Sequence, residues 1–191
     1  MGPVKALLPM SSPHRGARCG TVPPLRSERV LMLLYAARMR EGTANVVIDR
    51  PAHEVWAAIT DVTRMGEWSP ECVAGRWAGG ATAPAVGARF EGDNEAKVAG
   101  RTVKRWTTTS EVTACEPDSV FEFVAEGYTT WRYDLMPSSA GTRVTETFRY
   151  EPKGFQGFLY ETLLRRSKAM TTGMERTLAR LKAGLEATTA A

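Results

Sequence analysis

Between residues 71 and 151 apolar and polar side chains alternate with a period of two, the spacing of a strand with one face covered and one face wet. In "FEFVAEG" Phe121 and Phe123 flank Glu122, and in "TWRYDLM" Trp131, Tyr133 and Leu135 alternate with Arg132 and Asp134. "TRVTETFRY" sets Val144, Glu146, Phe148 and Tyr150 on one face and Arg143, Thr145, Thr147 and Arg149 on the other. Turn-forming runs separate these stretches: "AGGATAP", "CEPDS", "AEG" and "PSSAG". The pattern predicts six strands joined by hairpin-like turns.

Ahead of them, "ANVVIDRPAHEVWAAITDV" changes from a β-branched run at Val46, Val47 and Ile48 to a helical face at Val55, Ile59 and Val62. Pro51 suits the first helical turn and Glu54 its positive end. A second, very short helix is expected over 63–67, stopped by Ser69-Pro70. After the strands, Leu159, Leu163, Met170, Met174, Leu178 and Leu181 recur at helical spacing, which predicts one long helix from about Phe155 to Leu185 with Gly173 in its middle. Gly173 is expected either to let the helix approach the sheet or to leave room for a ligand. The sum is an α+β fold: a seven-stranded curved antiparallel sheet wrapped around a long C-terminal helix, with two short helices after the first strand.

Strand parity then selects the inward face. It includes Phe90, Trp106, Thr108, Ser110 and Val112 from the first half of the meander, and Phe121, Phe123, Trp131, Tyr133, Val144, Glu146 and Phe148 from the second. The helix adds Leu163, Arg166, Met170, Met174 and Thr177. A cavity between sheet and helix, apolar with a few polar groups, is the expected ligand site, although such aromatic stripes also serve as plain core.

Charge sharpens the domain boundaries. Residues 1–40 hold Lys5, Arg15, Arg18, Arg26, Arg29, Arg38 and Arg40 against Glu28 alone, whereas the rest of the chain is close to neutral. Five of the eleven prolines fall in the first 24 residues. Residues 1–42 therefore read as a flexible basic Pro/Arg-rich extension and 43–187 as the folded domain. No concentrated basic face marks that domain as a nucleic-acid binder. The apolar run Val30–Ala37 is too short to cross a bilayer. Behind a basic stretch it has part of the look of a signal peptide or interfacial anchor, but Arg38, Met39 and Arg40 stand where a small-residue cleavage site belongs. A start at Met32 or Met39 would leave the preceding segment without a role.

Cys19, Cys72 and Cys115 form no paired motif, and His14 and His53 are the only histidines. That excludes a zinc site by spacing and fits a reducing, cytoplasmic setting. No cofactor and no metal are expected.

Four blocks, "VVIDRPAHEVWAAITDVTRMGEWSPE", "VGARFEGDN", "RWTTTSEVTACEPDSVFEFV" and "WRYDLMPSSAGTRVTETF", resemble the START-like, Bet v 1-like superfamily, the polyketide cyclase/dehydrase and lipid-transport group, and small actinobacterial members especially. The likeness spans about residues 43 to 187. It implies a helix-grip fold with an internal cavity for hydrophobic or amphipathic ligands. It also implies that Trp68 and Glu71 lie by the cavity mouth, as a rim that greets or gates a ligand.

Among groups capable of chemistry, Glu146 is the most informative, because parity buries its carboxylate between Val144 and Phe148. Either Arg166 pairs with it, or it meets the cavity with a raised pKa as acid or ligand anchor, with Tyr133 as a second hydrogen-bonding group. Cyclase chemistry would draw on Glu146 and Tyr133, helped by Arg166, Thr108 and Ser110. His53 reads as a solvated helix-start residue. Cys72 lacks an activator, and Glu71 beside it disfavours the thiolate. The leading expectation is a carrier or binder of a lipid, fatty acid or polyketide-like molecule. The alternatives are a cyclase or aromatase in the same cavity and a stress-response or toxin-like interaction protein whose cavity is vestigial. Oligomeric state is not legible from the sequence.

Overall fold

A computed structural model describes residues 39–151 and 166–187. Strand β1 (Arg40–Ile48) leads into helix α1 (Ala52–Thr60), a single 3-10 turn (Val62–Arg64) and helix α2 (Met65–Trp68). Strands β2 (Cys72–Ala78), β3 (Arg89–Val98), β4 (Arg101–Glu116), β5 (Val120–Ala125), β6 (Thr129–Ser138) and β7 (Gly141–Tyr150) follow, and helix α3 is described over Arg166–Ala187. The seven strands form one antiparallel sheet in the order β1-β7-β6-β5-β4-β3-β2. Only β1 is out of sequence order, closing the meander by pairing with β7 from Arg40↔Tyr150 to Ile48↔Thr142. This is the expected helix-grip arrangement. β1 starts at Arg40, a little ahead of the Thr43 read from the sequence.

Local chemistry accounts for the elements. Pro51, with φ −66°, is the residue from which α1 starts, Glu54 occupies its first turn, and Val55, Ala58 and Ile59 form its buried face. Asp61 ends α1 and caps the 3-10 turn: its Oδ1 accepts from Thr63 N at 3.1 Å and from Thr63 Oγ1 at 2.6 Å. Asp61→Ala should therefore cost about 1 kcal/mol in chemical denaturation, the usual effect of a lost cap. An unchanged midpoint would mean that packing alone holds the turn. Helix α2 stops at Ser69, which is extended, and the Ser69 hydroxyl accepts from Cys72 N at 2.9 Å, turning the chain into β2.

The interior lies between the sheet and helices α1 and α3. Ile48, Val55, Val62, Phe121, Val144 and Phe148 have no accessible surface. Helix α3 presents Met174, Thr177, Leu178 and Leu181 as its buried stripe, at the spacing the sequence predicts. The expected helical stretch 155–165, with Leu159 and Leu163, lies outside the described residues. Gly173 does not serve a close approach to the sheet. A Cβ there would meet only Pro70 Cγ, at 3.9 Å, so it faces the α2–β2 turn in ordinary contact.

Three register shifts break simple alternation, the outermost where β4 skips Val103 in its pairing with β3. A bulge in β4 skips Thr113, so that Val112 faces Phe123, Ala114 faces Glu122 and Cys115 faces Phe121. Parity therefore flips within the strand, and Cys115 turns to the core side. The remaining register shift, in β2, separates Cys72 from Ala74.

Candidate functional site

The inner face of β3 to β7 is an aromatic wall. Cross-strand pairing places Phe123 opposite Trp131 and Trp131 opposite Phe148. The rings meet edge-on or tilted: Phe90 and Phe123 at 5.0 Å, Phe121 and Phe123 at 5.7 Å, Trp131 and Phe148 at 5.7 Å between centroids. Into this wall β7 sets Glu146, directly opposite Tyr133 of β6. The Tyr133 hydroxyl donates to Glu146 Oε1 at 2.8 Å. Glu146 Oε2 is buried and has no hydrogen-bond partner among the described residues.

The electrostatics follow from that placement. Burial dominates and pushes the Glu146 carboxyl up to about 7, with the Tyr133 hydrogen bond opposing it only in part. Burial, then the charge on Glu146, holds the Tyr133 hydroxyl well above the usual phenol range, so tyrosine remains the donor. Near neutral pH the carboxyl thus exchanges a proton while its second oxygen is free to meet something else.

Arg166 is not the partner of Glu146. Its guanidinium lies 5.8 Å over the Tyr150 ring, four residues and roughly 13 Å farther along β7 than Glu146. Arg166 acts instead on Glu71, whose carboxyl is raised first by desolvation and lowered in part by Arg166 and Lys104. With Arg166 and Lys104, Glu71 forms a charged group at one end of the sheet.

Trp68 is the residue expected at the cavity mouth. It is 7 % exposed, part of the core, with the Arg64 guanidinium 5.2 Å over its ring. Ser110 is buried on the inner face. Trp106, Thr108, Trp131 and Tyr133 also point inward by register, yet each keeps part of its surface accessible. Met170 is half-buried and Met174 buried, both on α3. Leu163 lies outside the described residues. His53 is exposed. Cys72 is buried and its thiol is raised first by desolvation, then by Asp93 and Glu71, which leaves it a poor nucleophile.

Sequence reasoning missed Asn94. Its Nδ2 donates to Gly92 O at 2.8 Å and to Thr108 Oγ1 at 3.2 Å, and it pairs in register with Cys72. Parity carried on from Phe90 through Gly92 would have found it. Gly92 leaves the space these groups use, since a Cβ there would lie 3.2 Å from Cys72 Sγ and 3.4 Å from Thr108 Oγ1. Trp56 of α1 was missed as well; its Nε1 is buried without a partner among the described residues.

A sheet with this order, grasping a helix, has counterparts among known proteins. The family described as polyketide cyclase / dehydrase and lipid transport matches residues 39–186. The chain belongs to this family. Within the polyketide cyclase/dehydrase and lipid-transport fold, the chain is similar to a polyketide-cyclase-like protein of Corynebacterium glutamicum solved in solution. The two are 34% identical over 76% of this chain and 91% of that one, with a TM-score of 0.54. It shares its fold with an aromatase/cyclase of two domains from the steffimycin biosynthetic pathway, at 13% identity and TM-score 0.61, over 86% of this chain and 61% of that one. An AHSA1-like protein of Aeromonas hydrophila has the same fold at 19% identity and TM-score 0.54, over 75% of this chain and 93% of that one. No curated protein matches the chain. Among the described residues no helix is long and apolar enough to cross a membrane.

Proposed function

We propose that the protein binds and carries a hydrophobic small molecule, of lipid, fatty-acid or polyketide type, whose one polar group is held by Glu146 and Tyr133 inside the sheet. The observation that carries this reading is the buried Glu146 carboxyl, with one oxygen on Tyr133 and the other without a partner among the described residues. An unsatisfied buried polar atom costs free energy, and a structure that keeps one gives it a task. Partial accessibility of the inward-pointing Trp106, Thr108, Trp131 and Tyr133 supports an inner face left incompletely filled. The aromatic wall supplies dispersion and apolar burial, and the carboxyl fixes which end of the ligand goes in.

Native mass spectrometry and organic extraction of the purified full chain test the proposal. Retained apolar molecules bearing a hydroxyl, keto or carboxyl group are expected. Glu146→Leu, which keeps the wall apolar and removes the anchor, should lower their retention by about 10- to 100-fold, the effect of one hydrogen bond to a buried ionisable group. A packed interior that retains and takes up nothing would sink the reading.

A cyclase or aromatase activity is the second reading, favoured by one observation. A carboxyl held at about 7 beside a tyrosine is suited to pass a proton to and from an enol or enolate. Under that reading the wild type turns over an aromatic polyketide precursor and Glu146→Gln binds it without turnover. Under the carrier reading the wild type binds and leaves it unchanged.

A further inference from the structure

Strands β3 and β4 outrun their neighbours. Pairing of β2 with β3 ends at Asn94, and pairing of β5 with β4 ends at Ser110, so 96–98 and 101–104 pair only with each other. The result is a two-stranded ribbon standing beyond the sheet. It reverses at Ala99 and Gly100, with φ of 49° and 78°, a tight turn of the two smallest side chains. Every residue from Lys97 to Arg105 is exposed.

Its chemistry is unusual for a free hairpin. Val98 and Val103, beside the turn, are 64% and 62% exposed, and nothing in the described residues covers them. Residues 96–110 contain Lys97, Arg101, Lys104 and Arg105 and no acidic side chain. These cations stand on both faces of the ribbon. Lys97 and Arg105 reach Glu95 on one face, at 3.3 and 2.8 Å, and Lys104 lies 5.1 Å over the Trp106 ring on the other. A protein partner would meet one flat side. A tip of apolar side chains collared by positive charge on both sides fits a surface that it enters end-on: negative at the outside, apolar just beneath.

We propose that the β3–β4 ribbon docks on an anionic lipid surface, with Val98 and Val103 entering between headgroups and Arg101 and Lys104, with Lys97 and Arg105, resting on the lipid phosphates. Docked this way, the inner face of β4 runs from the membrane into the protein through Lys104, Trp106, Thr108 and Ser110, from exposed to half-buried to buried. An apolar ligand leaving the bilayer would meet an aromatic ring before it met water. The docking itself does not require that ligand, so it stands or falls apart from the carrier reading.

The basic residues before position 40 would also favour anionic lipid, so the test keeps the full chain and changes the ribbon alone. Co-sedimentation is measured with vesicles of phosphatidylcholine, with and without one-third phosphatidylglycerol. Wild type should bind the anionic vesicles, weaken as salt is raised, and ignore the neutral ones. Arg101→Glu with Lys104→Glu should lower partitioning about 30-fold or more, and the milder Arg101→Gln with Lys104→Gln by about tenfold. Val98→Asp with Val103→Asp should lower it at least about tenfold while leaving far-UV circular dichroism and melting unchanged, since both sites are exposed. Ribbon variants that partition like wild type would overturn the proposal. So would equal binding to neutral vesicles, or binding to an RNA oligomer as tight as to the vesicles and indifferent to the valine changes.

Discussion

The stability difference between wild type and Glu146→Gln is expected to swing by about 3 kcal/mol in favour of the variant between about pH 4 and about pH 8. Glu146 has a folded-state pKa of about 7 against an ordinary value of 4.5, so the folded protein holds this proton more tightly than the unfolded chain does. The contribution is complete below 4.5, shrinks as the unfolded carboxyl ionises while the folded one stays neutral, and is gone above about 7. Above that, wild type carries a buried, half-satisfied carboxylate and the glutamine variant does not. Glutamine still offers Tyr133 an acceptor, and its amide adds a buried donor whose cost does not depend on pH, so the swing survives whatever the offset. Glu95, through Arg105, and Glu186, through the Asp49 backbone N–H and then Lys182, have lowered pKa values and lose their contributions as pH falls, the opposite direction. Subtracting the two pH curves removes them. Thermal melts should show a relative shift of roughly 6–12 °C for a chain of this size. Parallel curves would mean that Glu146 is hydrated in the folded protein. A ligand that donates to Oε2 would stabilise the carboxylate and flatten the wild-type curve, so the same experiment with and without ligand reports on the anchor.

The face that bears Glu146 was legible because β7 is regular: Val144, Glu146, Phe148 and Tyr150 alternate without a bulge, and all four are buried. The same holds along β4 from Trp106 to Val112. Legibility ends at Thr113, where nothing in "EVTACE" announces the bulge that turns Cys115 inward. Register is a property of two strands, and one strand's sequence does not contain it. Arg166 failed differently. Helical spacing gave its face correctly enough, but spacing carries no information on how far along the sheet a helix begins, and Arg166 meets Tyr150 rather than Glu146. Trp68 was assigned to a rim from the family likeness; the structure shows it buried in the core at the end of α2, with the Arg64 guanidinium over its ring, a degree of burial the likeness did not convey. The protruding ribbon was invisible for the same reason as the bulge: strand length is readable, and which strands stop early beside it is not.

Phe148→Ala should destabilise the protein by about 3–5 kcal/mol, and its interaction with Gly42→Ala should show why. Phe148 has no accessible surface and touches the rings of Trp131 and Tyr150 at 5.7 and 5.9 Å, so truncation removes apolar burial and leaves a cavity that regular strands do not collapse. Gly42 of β1 is its register partner. A Cβ on Gly42 would lie 2.5 Å from Phe148 Cε1 and 2.6 Å from Thr171 Oγ1 of α3. The glycine is therefore absent bulk: the Phe148 ring fills the space where β1, β7 and α3 converge. In the wild type Gly42→Ala should cost roughly 1–3 kcal/mol by overpacking, because a core ring cannot step aside as the Thr171 hydroxyl can. With Phe148→Ala already present the clash is gone, and the new methyl falls into the cavity, so Gly42→Ala should become neutral or mildly stabilising. The double variant would then be less damaged than the sum of the singles by about 1–3 kcal/mol, a coupling of the size expected for residues in direct contact. Additive effects in urea denaturation would mean that ring and glycine do not share this space, and that the helix is held on the sheet by the Met174, Leu178 and Leu181 stripe alone.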